Sequence, residues 1–195
     1  IERTAAELNE LGGGRCVGFV CDVRDEAQVK SFFAKTVDAL GGVDILVNNA
    51  GVTKTLDFLD TDEETYDSVF DLNMKGYFFL ARRAVPLVME RGGGSIVNVT
   101  SVHGFAGFPN HTAYAATKGA INSFTRQLAI ELADRKVRVN AVGPGIIEVP
   151  RYFDIPNYTT EFGNTLVPWG RVGYPEDVAP ADAASIDATR LRGRM

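Results

Sequence analysis

Three short apolar runs, each closed by small polar residues or glycine, constrain this chain most. They are Asp44-Ile45-Leu46-Val47-Asn48-Asn49-Ala50-Gly51, Gly94-Ser95-Ile96-Val97-Asn98-Val99-Thr100-Ser101 and Val137-Arg138-Val139-Asn140-Ala141-Val142-Gly143-Pro144-Gly145. Near-continuous apolar runs of this length fit strands buried on both faces, the habit of parallel sheets. Between them, residues about 65–91 and 112–133 carry apolar side chains at helical spacing. Strand and helix in alternation predict an α/β fold, a doubly wound parallel sheet. A further run, Cys16–Cys21, reads as a strand ending before Asp22, with an amphipathic helix over 1–11 before it and a helix starting at Asp25-Glu26 after it.

In open α/β sheets, ligands sit beyond the carboxyl ends of the strands. Asn49, Ala50 and Gly51 are small enough there to let a flat ring or a ribose approach the backbone. Ser101 arrives at the same edge, and Pro144-Gly145 breaks the third strand there. Asp22 can serve as a ligand to such a site or simply as a helix cap.

Tyr114 and Lys118 share one helical face, four residues apart, thirteen or more residues after Ser101. A phenol titrates near pKa ~10 and is a poor base at neutral pH. A cation about 4–5 Å away, at an effective dielectric of about 20, contributes roughly 3–4 kcal/mol. That is on the order of two to three pKa units. The expectation is a tyrosine acidified by its lysine, poised to exchange a proton with a hydroxyl or carbonyl. Alone, the pair also fits an amphipathic helix with a half-buried tyrosine; the three strand ends favour chemistry.

Composition excludes several classes. Twenty basic and twenty-five acidic residues give a net charge of −5 and a pI near 5.1, which offers nothing to nucleic acid. No apolar run approaches the roughly 18–20 residues of a membrane span, and helix 1–11 is too charged for a signal peptide. A cytoplasmic protein is expected. Cys16 and Cys21 would point to opposite faces of one strand, lack zinc spacing, and read as buried reduced thiols. His103 and His111 lie between Ser101 and Tyr114, but no Gly-x-Ser-x-Gly turn surrounds Ser101, so a Ser-His hydrolase lacks support. His103 is expected to line a substrate pocket or to hydrogen-bond locally.

In chain order, Asp22-Val23, Asn48-Asn49-Ala50-Gly51, Asn73, Ser101, Tyr114-x-x-x-Lys118 and Pro144-Gly145 resemble the short-chain dehydrogenase/reductase family over about residues 1–179. The resemblance implies a single NAD(P)-binding, Rossmann-like domain with a three-layer, doubly wound sheet. It implies an alcohol dehydrogenase or carbonyl reductase using NAD or NADP on a small-molecule alcohol or ketone. Sugars, steroids, 3-oxoacyl groups and small ketones all remain open.

The same resemblance assigns roles. Tyr114 is the acid/base; Lys118 lowers its pKa and holds the nicotinamide ribose; Ser101 donates to the substrate oxygen. Asn73 holds a water in a proton relay towards Lys118. Asp22 and Val23 meet the adenine, and Asn49, Ala50 and Gly51 line the adenosine side. Pro144, Gly145 and Ile147 border the nicotinamide, and the cofactor carries the hydride. The helices over 65–91 and 112–133 would pack against their copies in a homodimer or homotetramer. A non-catalytic scaffold of the same fold, or an inactive fragment, are the rival readings.

Departures from the family pattern matter. No Thr-Gly-x-x-x-Gly-x-Gly turn is present, and Gly12–Gly14 and Gly92–Gly94 precede strands where the motif should follow one. The sheet is therefore expected to be incomplete at both ends, with the strand ending at Asp22 unlinked from the rest. Pro180 falls near the start of an expected late helix. Residues 181–195, with Arg190, Arg192 and Arg194, lack the expected final strand, which predicts a partial or altered coding sequence beyond about residue 180. Val149 stands where the family usually has a threonine, a lost hydrogen bond of about 0.5–1.5 kcal/mol. The aromatic segment Arg151–Trp169 suits a lid, core or a subunit contact.

Overall fold

The computed structural model describes residues 1–187. A parallel sheet of β1 (Ile45–Asn48), β2 (Gly94–Val99) and β3 (Val137–Val142) forms its centre, in that spatial order. The register sets Asn48 against Asn98 and Val99 against Val142, so all three strands end on one edge. Parallel neighbours need long crossovers. After α1 (Glu2–Glu10), helices α3 (Glu63–Phe70) and α4 (Gly76–Glu90) connect β1 to β2, α5 (Thr112–Glu131) connects β2 to β3, and the short α6 (Thr160–Thr165) follows β3.

Alternation along the strands decides what packs where. Leu46, Ile96 and Val139 point to the face covered by α4, against Leu80, Ala84 and Val88, with Val29 and Phe33 of α2 (Glu26–Leu40) beyond. Each such buried aliphatic side chain contributes about 1.5–3 kcal/mol. On the opposite face α7 (Pro175–Asp187) lies against β2 and β3, tied by Ser95 Oγ to the Ser185 carbonyl at 3.3 Å. Helices on both faces make the three-layer arrangement. Ile45 and Val47, on the α7 side of β1, remain 38% and 43% exposed because α7 does not reach them. The sheet is Rossmann-like and open at both edges among the described residues.

Caps place the helices. Asp25 accepts the N–H groups of Ala27 (2.8 Å) and Gln28 (3.2 Å) at the start of α2, and Gly41 ends it at φ 81°. Asp62 caps α3 through the Thr65 N–H at 2.8 Å.

Four expectations need correction. Cys16–Cys21 joins no ladder: Asn9 clasps the Cys16 backbone at 2.7 and 2.9 Å, and Gln28 Oε1 accepts the Asp22 N–H at 3.0 Å. A strand exists through its neighbours' hydrogen bonds, and no described strand offers this segment any. Both cysteines are consequently half-buried free thiols, not core ones. The predicted helix over 65–91 is α3 and α4 joined by a π-helical turn, Asp71–Lys75. Pro180 does not stop α7; the carbonyl left without its N–H partner is that of Glu176, which is exposed to water. Residues 181–187 continue α7, and the expectations for 188–195, including Arg190, Arg192 and Arg194, lie outside the described residues. No helix among the described residues is long and apolar enough to cross a membrane.

Candidate active site

Ser101 follows β2 at the C-terminal edge of the sheet and is buried. Its Oγ accepts the His103 N–H at 3.2 Å, which leaves its own proton free to face the nearby Tyr114 phenol. Tyr114 opens α5, and Lys118 lies one turn later on the same face. The turn after Ser101 rests directly on α5: a Cβ on Gly104 would come 2.9 Å from the Lys118 carbonyl. Thr100 fixes the same contact, donating to that carbonyl at 3.0 Å.

Lys118 is only 4% exposed. Its Nζ donates to the Val99 carbonyl at 2.8 Å and lies 5.5 Å from the Tyr114 ring centre and 5.7 Å from that of Tyr77. Both rings are within cation–π reach. Burial pulls the Lys118 amine down to about 8. An ammonium has three donors, and one is used here among the described residues.

The expected acidification of Tyr114 is not what this arrangement produces. Burial pushes the phenol above its ordinary value, the hydrogen bond from Ser101 pulls it back, and nearby Tyr152 pushes it up again. Desolvation of the phenolate dominates, and the Lys118 amine is directed at the end of β2 through its bond to the Val99 carbonyl. Tyr114 is thus a proton donor at neutral pH.

Asn73 sits in the π-helical turn, fully buried. Its Oδ1 accepts the Val52 N–H at 2.8 Å, and its Nδ2 donates to the Val52 carbonyl at 2.9 Å and to Thr117 Oγ1 at 3.1 Å. Thr117 in turn donates to the Tyr114 carbonyl at 2.7 Å. The side chain therefore staples the loop after β1 to α5. π-helical turns often mark functional positions.

Two features along this edge leave room for a ligand. A Cβ on Gly51 would meet Asn73 Oδ1 at 3.3 Å and Lys118 Nζ at 3.8 Å, so the glycine keeps open a cradle beside the unengaged ammonium donors. A separate cleft of about 750 Å³ lies along Ala50, Val52, Val23 and Asp22. Asp22 is held by the Arg24 guanidinium at 2.7–3.1 Å, which drops its carboxyl to about 2. Asn49 is exposed where β1 ends. Pro144 accepts the Val102 N–H at 3.0 Å, and Gly145 stands beside the Val102 side chain, which keeps both near Ser101. Ile147 pairs in a bridge with Gly173 and packs upon it. Gly92–Gly94 opens β2 at the opposite end of the sheet from Ser101.

Sequence reasoning missed three supports of this site. Tyr77, inside the apolar helical pattern of residues 65–91, is buried and donates to the Val99 carbonyl at 3.1 Å. Thr117 links Asn73 to Tyr114. Asn98 accepts from Asn48 at 2.8 Å and donates to Thr125 at 2.9 Å, joining β1, β2 and α5 beneath the edge. A buried polar residue inside an apolar run was the available signal. In the aromatic segment, Tyr152 is near enough to act on Tyr114, while Glu148 accepts from Tyr158 at 2.8 Å and from Thr160 at 3.2 Å.

Comparison with known proteins gives the family. The profile of the short chain dehydrogenase family matches residues 1–155. A 3-oxoacyl-[acyl-carrier-protein] reductase of Thermotoga maritima is 42% identical over 166 residues, covering 85% of this chain and 68% of that protein. A 3alpha-hydroxysteroid dehydrogenase of Mediterraneibacter gnavus is 35% identical over 182 residues, covering 93% and 73%. The solved structure of ElxO with NADP bound superposes with a TM-score of 0.81 at 30% identity, over 86% of this chain and 69% of that one. The chain belongs to the short-chain dehydrogenase family of NAD(P)-dependent oxidoreductases.

Proposed function

We propose that this chain interconverts an alcohol and a carbonyl, with Tyr114 as the acid/base. The grouping of Ser101, near enough to pull on the Tyr114 phenol, with a buried Lys118 whose amine lies 5.5 Å from the Tyr114 ring centre carries the reading. A bound nicotinamide supplies or accepts the hydride. In reduction Tyr114 gives its proton to the substrate oxygen as negative charge develops there, and Ser101 donates a hydrogen bond to the same atom. In oxidation Tyr114 takes the hydroxyl proton instead. Lys118 holds the nicotinamide ribose with its unengaged donors. Asn73 positions a water that returns the proton by way of Lys118. Asp22 and Val23 receive the adenine, Asn49, Ala50 and Gly51 the adenosine side, and Pro144, Gly145 and Ile147 border the nicotinamide.

The NADP held by ElxO supports NADP or its close relative NAD as the cofactor. The reductase and hydroxysteroid dehydrogenase relatives support 3-oxoacyl or steroid-like carbonyl compounds as a starting panel. Half-buried free thiols suit a reducing compartment, which supports a cytoplasmic location. The exposed Phe78 on α4, beside Phe124 of α5, supports a homodimer or homotetramer built on these helices.

The test follows reduced-nicotinamide absorbance with carbonyl and alcohol substrates. The chain is assayed as it stands and after extension by a strand and a glycine-rich turn at its N-terminal side. Turnover is expected in the extended form, lost in Tyr114→Phe with cofactor binding kept. Turnover that survives Tyr114→Phe would transfer the proton role to another group and overturn the reading.

A further inference from the structure

The chain has two histidines, and both stand on one side of Tyr114. Their ring centres are 4.9 Å apart; His103 meets the Tyr114 ring edge-on at 5.5 Å, and His111 lies 6.4 Å from it. Phe108 joins them at 5.7 and 5.8 Å while staying half-exposed, so it is not part of the core.

The two imidazoles differ in what they have left to offer. His111 Nδ1 lies 2.6 Å from the Pro109 carbonyl, which can only accept, so that nitrogen carries the hydrogen. Its Nε2 lies 3.4 Å from Thr55 Oγ1. His103 has no hydrogen-bond partner at either ring nitrogen among the described residues. Its Nδ1 is buried without one, which leaves Nε2 as the atom a ligand meets. Burial, and then His111, hold His103 below its ordinary value, so the ring is neutral at neutral pH. A neutral imidazole with hydrogen on Nε2 is a single, directed donor.

We propose that His103, Phe108 and His111 form the substrate-recognition wall of the Tyr114 site. The wall takes flat aromatic carbonyl or alcohol compounds that carry a second oxygen acceptor, bound by His103 through Nε2–H. This inference rests on the oxidoreductase reading, because Tyr114 and Ser101 fix where the reacting oxygen sits. Three adjoining rings select a planar substrate through stacking and edge contacts. The lone donor then selects, among planar compounds, those with an oxygen at the far end.

Two histidines give two imidazole signals, which makes magnetic resonance on the full chain a direct readout. Three probes separate the elements: 4-acetylbenzoate, acetophenone, which lacks the second acceptor, and 4-acetylcyclohexanecarboxylate, which lacks the flat ring. The benzoate is expected to shift the His103 signal, to bind about tenfold more tightly than acetophenone, the size of one added hydrogen bond, and to bind several-fold more tightly than the cyclohexane acid through its ring contacts, about 0.5–1.5 kcal/mol. His103→Phe should erase the preference over acetophenone, and His103→Gln, which keeps a donor, should retain part of it. Equal affinity for all three probes overturns the proposal, as does an undiminished preference in a folded His103→Phe, or a benzoate that moves neither imidazole. Tyr114→Phe should leave these shifts in place. Shifts and the benzoate preference in an extended protein that carries Tyr114, binds nicotinamide cofactor and still transfers no hydride would sink the oxidoreductase reading and keep the wall as a binding site.

Discussion

Lys118 donates to the Val99 carbonyl at 2.8 Å, and its amine stands 5.5 Å from the centre of the Tyr114 ring. The cation is thus anchored to the end of β2, with Tyr77 donating to the same oxygen at 3.1 Å. A strand terminus, not the phenol, sets its position. The charge is available to whatever enters the cradle at Gly51, and in the meantime it is poorly solvated.

That burial predicts a pH dependence of stability. Lys118 falls from 10.5 unfolded to about 8 folded. Between those values the unfolded chain holds a proton that the folded chain has released, so stability rises with pH across the window. The full span corresponds to roughly 3 kcal/mol. Urea unfolding at pH 8 and pH 10 should show the folded state gaining stability relative to a Lys118→Met variant. Parallel behaviour of the two proteins would mean that the amine is not depressed.

Catalysis should separate from binding at Tyr114 and Ser101. Removing a positioned general acid lowers turnover by about 10²–10⁴-fold, and removing one donor to a developing oxyanion by about 10²–10³-fold. In the extended form, Tyr114→Phe and Ser101→Ala should lower kcat by these amounts with cofactor affinity kept. Because burial keeps Tyr114 protonated, carbonyl reduction should hold level through neutral pH while alcohol oxidation climbs with pH. An oxidation rate that is flat with pH would contradict the direction given to the phenol.

Asn73 is expected to matter for stability before it matters for chemistry. Asn73→Ala leaves both part-buried backbone groups of Val52 without their partner and takes one donor from the Thr117 hydroxyl, which keeps its bond to the Tyr114 carbonyl. The cost should be about 2–4 kcal/mol, with three partners affected. Hydrogen exchange should show lost protection at the Val52 amide and its neighbours while β2 and β3 stay protected. Unchanged exchange there would mean that the loop after β1 is held by other contacts.

Much of this was legible in the sequence because it is local. Asp25 capping α2, the three apolar runs, and the shared face of Tyr114 and Lys118 each follow from residues a few positions apart. Cys16–Cys21 has strand composition yet makes no ladder, since pairing depends on a neighbour that no local signal supplies. Tyr77 looks like one more apolar residue until β2 is placed beneath it. The Asn48–Asn98 contact requires the register of two strands separated by the whole of α3 and α4. The sign of the Tyr114 shift was missed for the same reason. Spacing gives the distance between two charges, but desolvation depends on the entire enclosure.

The helix pair α4 and α5 carries the last prediction. Phe78 is 47% exposed, tilted against Phe124 at 5.8 Å and edge-on to Phe79 at 5.5 Å. Beside it, Ala81, Val85 and Leu128 line an apolar hollow of about 320 Å³ with Arg82 and Glu131 at its rim. A ring at the lip of such a hollow, repeated by a two-fold axis, gives a self-complementary surface in which each copy fills the other. Opposite charges at the rim favour the antiparallel meeting of identical helices. Phe78→Asp places a charge in that contact and should convert a dimer to monomers by light scattering coupled to size exclusion, with circular dichroism unchanged because Phe78 is half-exposed within the protomer. A variant that keeps the native mass would move the subunit contact elsewhere on the chain.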